Sequence, residues 1–330
     1  MTTDTMPQYT NTPCSATLFL LTYNQQETVE AAAMCCLNQV CEPIEIVFSD
    51  DCSSDGTLAK LQNMAAQYQG PHYVRVRQNS QNLGIADHYN QAVSEASAEL
   101  IVVAAGDDLS APNRVARILD TWRSSNGRLN LIASYVTSID RHGKDLGLIQ
   151  TGHLEKWPDA KTWCKKRPYV IGATFAFHKK LFMVFGPLDN GVDYEDQVLS
   201  FRAATLGGGL TIPEPLVQYR QGGLSSRSVP NSADLLAHAH SKYRRQLAVY
   251  TQITKDLGTI GQSHLSTTKI ASYIQKSNVV LELINKTPLS FSDLLHITVK
   301  YKKTPGIFWT LMRFFYIKYP RMTIFLGKKI

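Results

Sequence analysis

A chain of 330 residues, 44% hydrophobic and 18% charged, is long enough to bury a large α/β core and too apolar to be disordered. Its formal charge of +7 sits at one end. Residues 294–330 carry eight Lys or Arg and no Asp or Glu, which leaves the first 293 residues at about −1. That distribution argues against a protein that coats nucleic acid along its length, and the absence of any run of 18 apolar residues argues against a transmembrane helix. The polar start, Met1 to Cys14, lacks the basic and apolar regions of a secretory signal. Six cysteines without CxxC spacing, five of them in the first 52 residues, fit reduced packing residues better than a disulfide framework. A cytosolic protein is expected.

In chain order, the apolar run at 17–22 (TLFLLT) predicts a buried strand, followed by a helix over about 27–39. A second strand is expected at 44–49 (IEIVFS) and a second helix over 58–68. At 73–77 apolar residues alternate with Arg75 and Arg77, which reads as an edge strand with its arginines facing solvent. A helix over 85–96 leads to the most apolar strand, 100–104 (LIVVA). Strands and helices alternating at this spacing imply a parallel sheet covered on both faces, with ligands at the carboxyl ends of its strands. Strands are expected again at 131–139 and 173–178, and a helix over 196–206 stopped by Gly207, Gly208 and Gly209. Beyond Pro230 only helical patterns remain, over about 234–257, 265–284 and 290–319.

Three acidic clusters fall where loops leave these elements. Asp50 and Asp51 end the second strand ahead of Ser53, Ser54, Asp55, Gly56 and Thr57, which suit either a polar turn with a helix cap or a seat for a nucleoside base and ribose. Gly106-Asp107-Asp108 follows the strand at 100–104. Two adjacent carboxylates repel, and a hard divalent cation would neutralise them. Mg²⁺ and Mn²⁺ are held by one or two carboxylates together with phosphate oxygens and water; a capping turn before Pro112 is the plainer alternative. The third cluster, Asp193-Tyr194-Glu195-Asp196, opens a helix, where acids are favoured by the dipole alone. A carboxylate there also suits a reaction in which an acceptor hydroxyl loses its proton. His88, His142, His153 and His178 show no metal-ligand spacing.

The series Thr22-Tyr23-Asn24, Asp50-Asp51 with Ser53 and Asp55-Gly56-Thr57, Asn82-Leu83-Gly84, Gly106-Asp107-Asp108 and Glu195-Asp196 resembles, in order and spacing, family 2 glycosyltransferases of the GT-A fold. Each motif alone is weak; five in register over residues 16–228 are specific. The resemblance implies a Rossmann-like mixed sheet with helices on both faces over 16–228; the flanking sequence predicts a disordered or extended N-terminus at 1–15 and a helical appendage over 229–330. It implies an inverting enzyme that moves a sugar from a nucleoside-diphosphate donor, a UDP-sugar first, to a hydroxyl of a glycan or lipid-linked acceptor in surface polysaccharide or oligosaccharide assembly. Thr22, Tyr23, Asn24, Asp50, Asp51, Asn82, Gly84 and Asp108 would line the nucleotide-sugar site. Asp107, with Asp108, would hold Mn²⁺ or Mg²⁺; Asp196 would be the base and Glu195 would orient the acceptor.

The family's metal motif is often Asp-x-Asp-Asp, and here Ala105 stands first. That departure keeps open a catalytically idle nucleotide-sugar-binding or scaffold protein; a phosphohydrolase on the same loops is a third reading. Arg220 and Arg227 are candidates for the diphosphate because a guanidinium can grip phosphate oxygens bidentately. The tail 301–330 interleaves Trp309, Phe314, Phe315 and Tyr316 with cations, which reads as a segment lying on an anionic membrane at its cytoplasmic face. No nucleic-acid partner is expected.

Overall fold

In the computed structural model the described residues are 14–222, 235–265, 268–286, 290–301, 310–311 and 314. The first half alternates as its sequence requires: β1 (Thr17–Thr22), α1 (Val29–Leu37), β2 (Glu45–Asp50), α2 (Thr57–Gln67), β3 (Tyr73–Gln78), α3 (Gly84–Glu95) and β4 (Leu100–Ala105). A short β5 (Leu109–Ser110) precedes α4 (Arg114–Ser124), β6 (Leu131–Ile139), β7 (Asp145–Ile149) and α5 (Ala160–Lys165). A single 3-10 turn, Gly172–Thr174, leads into β8 (Ala176–His178), α6 (Lys180–Phe185), α7 (Glu195–Thr205) and β9 (Gly209–Arg220). Helices α8 (Leu235–Thr259), α9 (Thr268–Asn285) and α10 (Phe291–Lys300) follow among the described residues.

The strands among the described residues form one mixed sheet in the order β3-β2-β1-β4-β8-β6-β9-β5, with β7 beside β6. β3, β2, β1 and β4 run parallel; β8 is antiparallel to both β4 and β6. The chain moves outward from β1 to β2 and β3, then returns to place β4 on the other flank of β1. That reversal opens a crevice at the carboxyl ends of β1 and β4.

Successive side chains of a strand face opposite ways. Phe19 and Leu21 therefore pack with α3, α5 and α7 on one face, while Leu18 and Leu20 pack with α1, α2 and α4 on the other. Val249, Tyr250, Ile253 and Leu257 of α8 and Ile270 of α9 enter the first of these cores. The helical region thus completes one face of the sheet.

Two expectations change. Arg75 and Arg77 are partly buried instead of solvent-facing: Arg75 pairs with Glu45 (3.0 Å) and Glu95 (3.3 Å), and Arg77 with Glu95 (3.0 Å). The end of α3 reaches over the edge strand and supplies the counter-charge. Most of the tail lies outside the described residues, but Phe314 is buried with Val279, Val280, Leu283 and Ile297, so this ring packs into a helical cluster. Among the described residues no helix is long and apolar enough to cross a membrane.

Candidate active site

The loops after β1 and β2 are laced together. Asn24, in the left-handed region at φ 49°, gives its backbone N–H to Ser53 Oγ (2.8 Å), and its side-chain oxygen accepts from the Ser54 N–H (2.8 Å). Gln25 N–H donates to Thr57 Oγ1 (2.8 Å) and Gln26 N–H to Asp55 Oδ2 (3.1 Å). Asp50 is fully buried and accepts from the Ser53 N–H (2.8 Å), Ser53 Oγ (2.5 Å) and Thr22 Oγ1 (3.2 Å). Asp51 accepts from Asn79 Nδ2 (2.6 Å) and from the N–H groups of Leu83 (2.9 Å) and Gly84 (3.0 Å). Asn82 caps the same Gly84 N–H (3.1 Å), and Gly84 turns into α3 at φ 76°.

Of the residues expected around a base and ribose, Thr22, Asp50 and Asp51 are thus buried and framing. Tyr23, Asn24, Asn82 and Gly84 form the accessible rim. Beneath it, Ser49 Oγ meets His88 Nε2 (2.7 Å) and accepts from Arg77 Nη1 (2.8 Å). Burial lowers the His88 pKa to about 4, so this imidazole is neutral at physiological pH.

The acidic loop after β4 is held against the first by Gly106. A Cβ there would lie 2.8 Å from Thr22 Cγ2, closer than real Cβ atoms approach, so only glycine fits. Its carbonyl accepts from Thr28 Oγ1 (2.8 Å). The Asp107 carboxylate, hydrogen-bonded by the Gln25 side chain, has its pKa raised by burial. Asp108 is raised to about 8, first by burial and then by the Asp107 charge, although its Oδ1 accepts the Arg220 N–H (2.8 Å). Arg220 Nε donates to the Asp107 carbonyl (2.9 Å) and Nη1 to the carbonyls of Asp140 (3.1 Å) and Arg141 (3.0 Å). Through these carbonyls the Arg220 guanidinium pins the acidic loop to the β6–β7 turn. Arg227 lies outside the described residues.

The third acidic cluster opens α7. Asp196 Oδ1 accepts the Gln197 N–H (2.7 Å). Burial raises Asp196 to about 6, with Arg167 drawing it back; Glu195 is raised to about 8, first by burial and then by the Asp196 charge. The Tyr89 hydroxyl, from α3, hydrogen-bonds Glu195. Burial and mutual repulsion thus disfavour a second negative charge on this pair, which titrates as a unit. A Cβ on Gly172 would come within 2.7 Å of Glu195 Oε1, so the turn Gly172–Thr174 leaves room for the acids by lacking one side chain.

One buried arginine links the two acidic loops. Arg114, 1% exposed at the start of α4, donates through Nη2 to the carbonyls of Val103 (2.7 Å) and Ala173 (2.9 Å) and through Nη1 to Ser110 Oγ (2.9 Å). Its charge is felt by Asp108 on one side and by Tyr89 on the other. A continuous path of contacts therefore runs from the β4 loop through Arg114 and Gly172–Thr174 to Glu195 and Asp196. Neither Arg114, Tyr89, Gln25 nor Gly172 carries a local sequence signal; each is defined by partners far away in the chain.

Among the described residues no group of three or more His, Cys, Asp or Glu forms a ready cation cage. The donors present, two neighbouring carboxylates whose negative charge is penalised by burial, match a cation completed by substrate phosphates better than one held by protein alone.

A mixed α/β sheet with acidic loops at its switch point defines the GT-A class of nucleotide-sugar folds. The chain belongs to glycosyl transferase family 2, whose model matches residues 17–185. It is 24% identical over 279 residues to an uncharacterized glycosyltransferase of Haemophilus influenzae, covering 79% of this chain and 81% of that protein. It is 29% identical over 190 residues to the chondroitin synthase of Escherichia coli, covering 54% of this chain but only 25% of the synthase. Among solved structures, the mannosyltransferase PcManGT of Pyrobaculum calidifontis, in complex with GDP-Man and Mn²⁺, superposes with a TM-score of 0.52 at 15% identity, covering 97% of this chain and 89% of that one. The fold is GT-A and the chain is a glycosyltransferase.

Proposed function

We propose that this glycosyltransferase acts with inversion, taking a sugar from a nucleoside-diphosphate donor to a hydroxyl of a glycan or lipid-linked acceptor. The observation that supports the reading is the path of contacts from the Asp107-Asp108 loop through Arg114 and Gly172–Thr174 to the Glu195-Asp196 pair. Asp196 accepts the hydroxyl proton as the acceptor oxygen bonds to the anomeric carbon and the bond from that carbon to the diphosphate oxygen breaks. A single displacement of this kind inverts the centre. Asp107 and Asp108 would hold Mn²⁺ or Mg²⁺, which when bound neutralises charge on the departing diphosphate. Tyr23, Asn24, Asn82 and Gly84 border the space for the nucleoside, over a floor fixed by Asp50 and Asp51. The similarity to a chondroitin synthase supports polysaccharide assembly as the setting. The eight cations without an acid over 294–330 support an anionic membrane surface, at its cytoplasmic face, as the place.

The test is a thermal-shift series with uridine, thymidine and guanosine diphosphates, each with and without Mn²⁺. Native-state binding at a hundredfold excess over Kd adds about 2.7 kcal/mol, a shift of several degrees for a chain this size. One base is expected to give the largest shift, dependent on Mn²⁺ and lost in Asp107→Ala. Equal small shifts with all bases, unaffected by Mn²⁺, would overturn the reading. An idle binding protein, the alternative that Ala105 leaves standing, would bind the nucleotide and never release it from a donor sugar.

A further inference from the structure

Helices α5, α8 and α9 enclose a second, small cavity of about 40 Å³, lined by Trp163, Arg167, Tyr250, Lys269 and Tyr273. That volume admits a small charged group or a few waters and not a sugar ring. Its place relative to the acids is fixed by Trp163, whose Nε1 donates to Ser200 Oγ (3.1 Å). Ser200 lies four residues beyond Asp196 on α7, so the two share a face one helical turn apart. The Arg167 charge acts on both Asp196 and the Tyr250 hydroxyl, drawing each toward its ionised form. Tyr250 and Tyr273 stack at 4.8 Å between ring centres and 4° between planes, giving the cavity a rigid flat wall.

The charge around this cavity is unbalanced. Lys161, Lys165, Lys166 and Arg167 fall within seven residues, all exposed, and Lys269 arrives from α9, its Nζ donating to the Lys165 carbonyl (2.6 Å). The acids nearby are Asp159, which caps α5 through the Thr162 N–H (2.7 Å), and Asp196. Among the described residues neither a hydrogen bond nor an ion pair holds the Arg167 guanidinium. Cations gathered without counter-ions repel one another unless something negative joins them. A negatively charged acceptor approaching Asp196 would otherwise be repelled by it, and a guanidinium at this spot offsets that repulsion.

We propose that Arg167 and Lys269 form an acceptor subsite for an anionic group, a carboxylate or phosphate of the glycan being extended, on the side of α7 where Trp163 meets Ser200. The inference rests on the reading of Asp196 as the base and narrows the acceptor to an acidic glycan.

The experiment titrates the full chain, with Mn²⁺ and the nucleoside diphosphate chosen by thermal shift, with three disaccharides differing only at one end: glucuronate, glucose 6-phosphate and glucose. At least one anionic probe is expected to bind about tenfold more tightly than the neutral one, in line with one charge-assisted pair. Carboxylate-only or phosphate-only preference supports the subsite and names its source. The preference should persist in Arg167→Lys and collapse to within about twofold in Arg167→Gln, with added salt eroding it. Equal binding of all three probes to the native chain would overturn the proposal, as would a preference that survives in Arg167→Gln and Lys269→Gln together. The nucleoside diphosphate is titrated separately. If it fails to bind, the reading of the main site fails; if it binds and the anionic preference is missing, only this subsite does.

Discussion

Asp196→Asn is expected to lower the rate of glycosyl transfer by about 10²- to 10⁴-fold, the usual worth of a positioned general base, while nucleoside diphosphate binding with Mn²⁺ survives. Asparagine keeps the oxygen that accepts the Gln197 N–H (2.7 Å) and is an equally good residue at a helix start, so the local fold is preserved. The pH dependence gives a second handle. Asp196 must be ionised to take a proton, and its pKa is raised to about 6, so the native rate rises with pH and levels off above about 6. The profile reports the Glu195–Asp196 pair as a unit. The sign for stability is opposite. An acid whose pKa is raised by folding has its ionised form disfavoured in the native state, so above the unfolded value near 4 its charge costs stability, fully so above about 6. Asp196→Asn is therefore expected to melt no lower than the native chain at pH 8. A variant that loses activity and melts much lower would mark Asp196 as structural instead.

Arg202→Ala is expected to cost about 3–5 kcal/mol of stability, the effect of leaving one charge of a buried pair uncompensated. Arg202 and Asp256 are both completely buried, with Nε to Oδ2 at 2.8 Å and Nη2 to Oδ1 at 3.2 Å. The guanidinium also donates to the Gly186 carbonyl (2.9 Å) and lies 5.5 and 5.3 Å from the ring centres of Phe182 and Phe185. Gln252 Nε2 supplies a further donor to Asp256 Oδ1 (2.8 Å). Urea denaturation should show the loss, and Arg202→Met with Asp256→Leu should recover most of it because no charge is left stranded. A loss below about 1 kcal/mol for the single variant would contradict this account. The pair matters to function because it clamps α8 onto α7. From the same helix, Arg244 (2.8 Å) and Arg245 (3.1 Å) hold Asp193 just ahead of the acid pair.

The parts of this architecture that could be read in advance are those whose cause is local. β1, β2 and β4 lie at the centre of a parallel sheet, buried on both faces, and so appear as unbroken apolar runs. β9 was invisible because Pro213 and Pro215 interrupt its pattern. The structure tolerates them where the register with β6 shifts between Ser134 and Val136. α4 has a clear helical stripe in Val115, Ile118 and Leu119, although no element is expected there from the sequence. In the site, the acids announced themselves by falling at strand and helix ends. Arg114 could not, since its burial depends on carbonyls 11 and 59 residues away. The contacts of Arg220 with the carbonyls of Asp107, Asp140 and Arg141 are equally remote in sequence.

The most direct measurement is crystallographic: crystals grown with Mn²⁺ and the preferred nucleoside diphosphate, with anomalous data collected to locate manganese. The account predicts one strong anomalous peak in the crevice between β1 and β4, within about 2.2 Å of an Asp107 oxygen and of diphosphate oxygens, with the Asp196 carboxylate facing the same space. A nucleotide bound without manganese at that loop, or manganese bound elsewhere with Asp107 untouched, would contradict it.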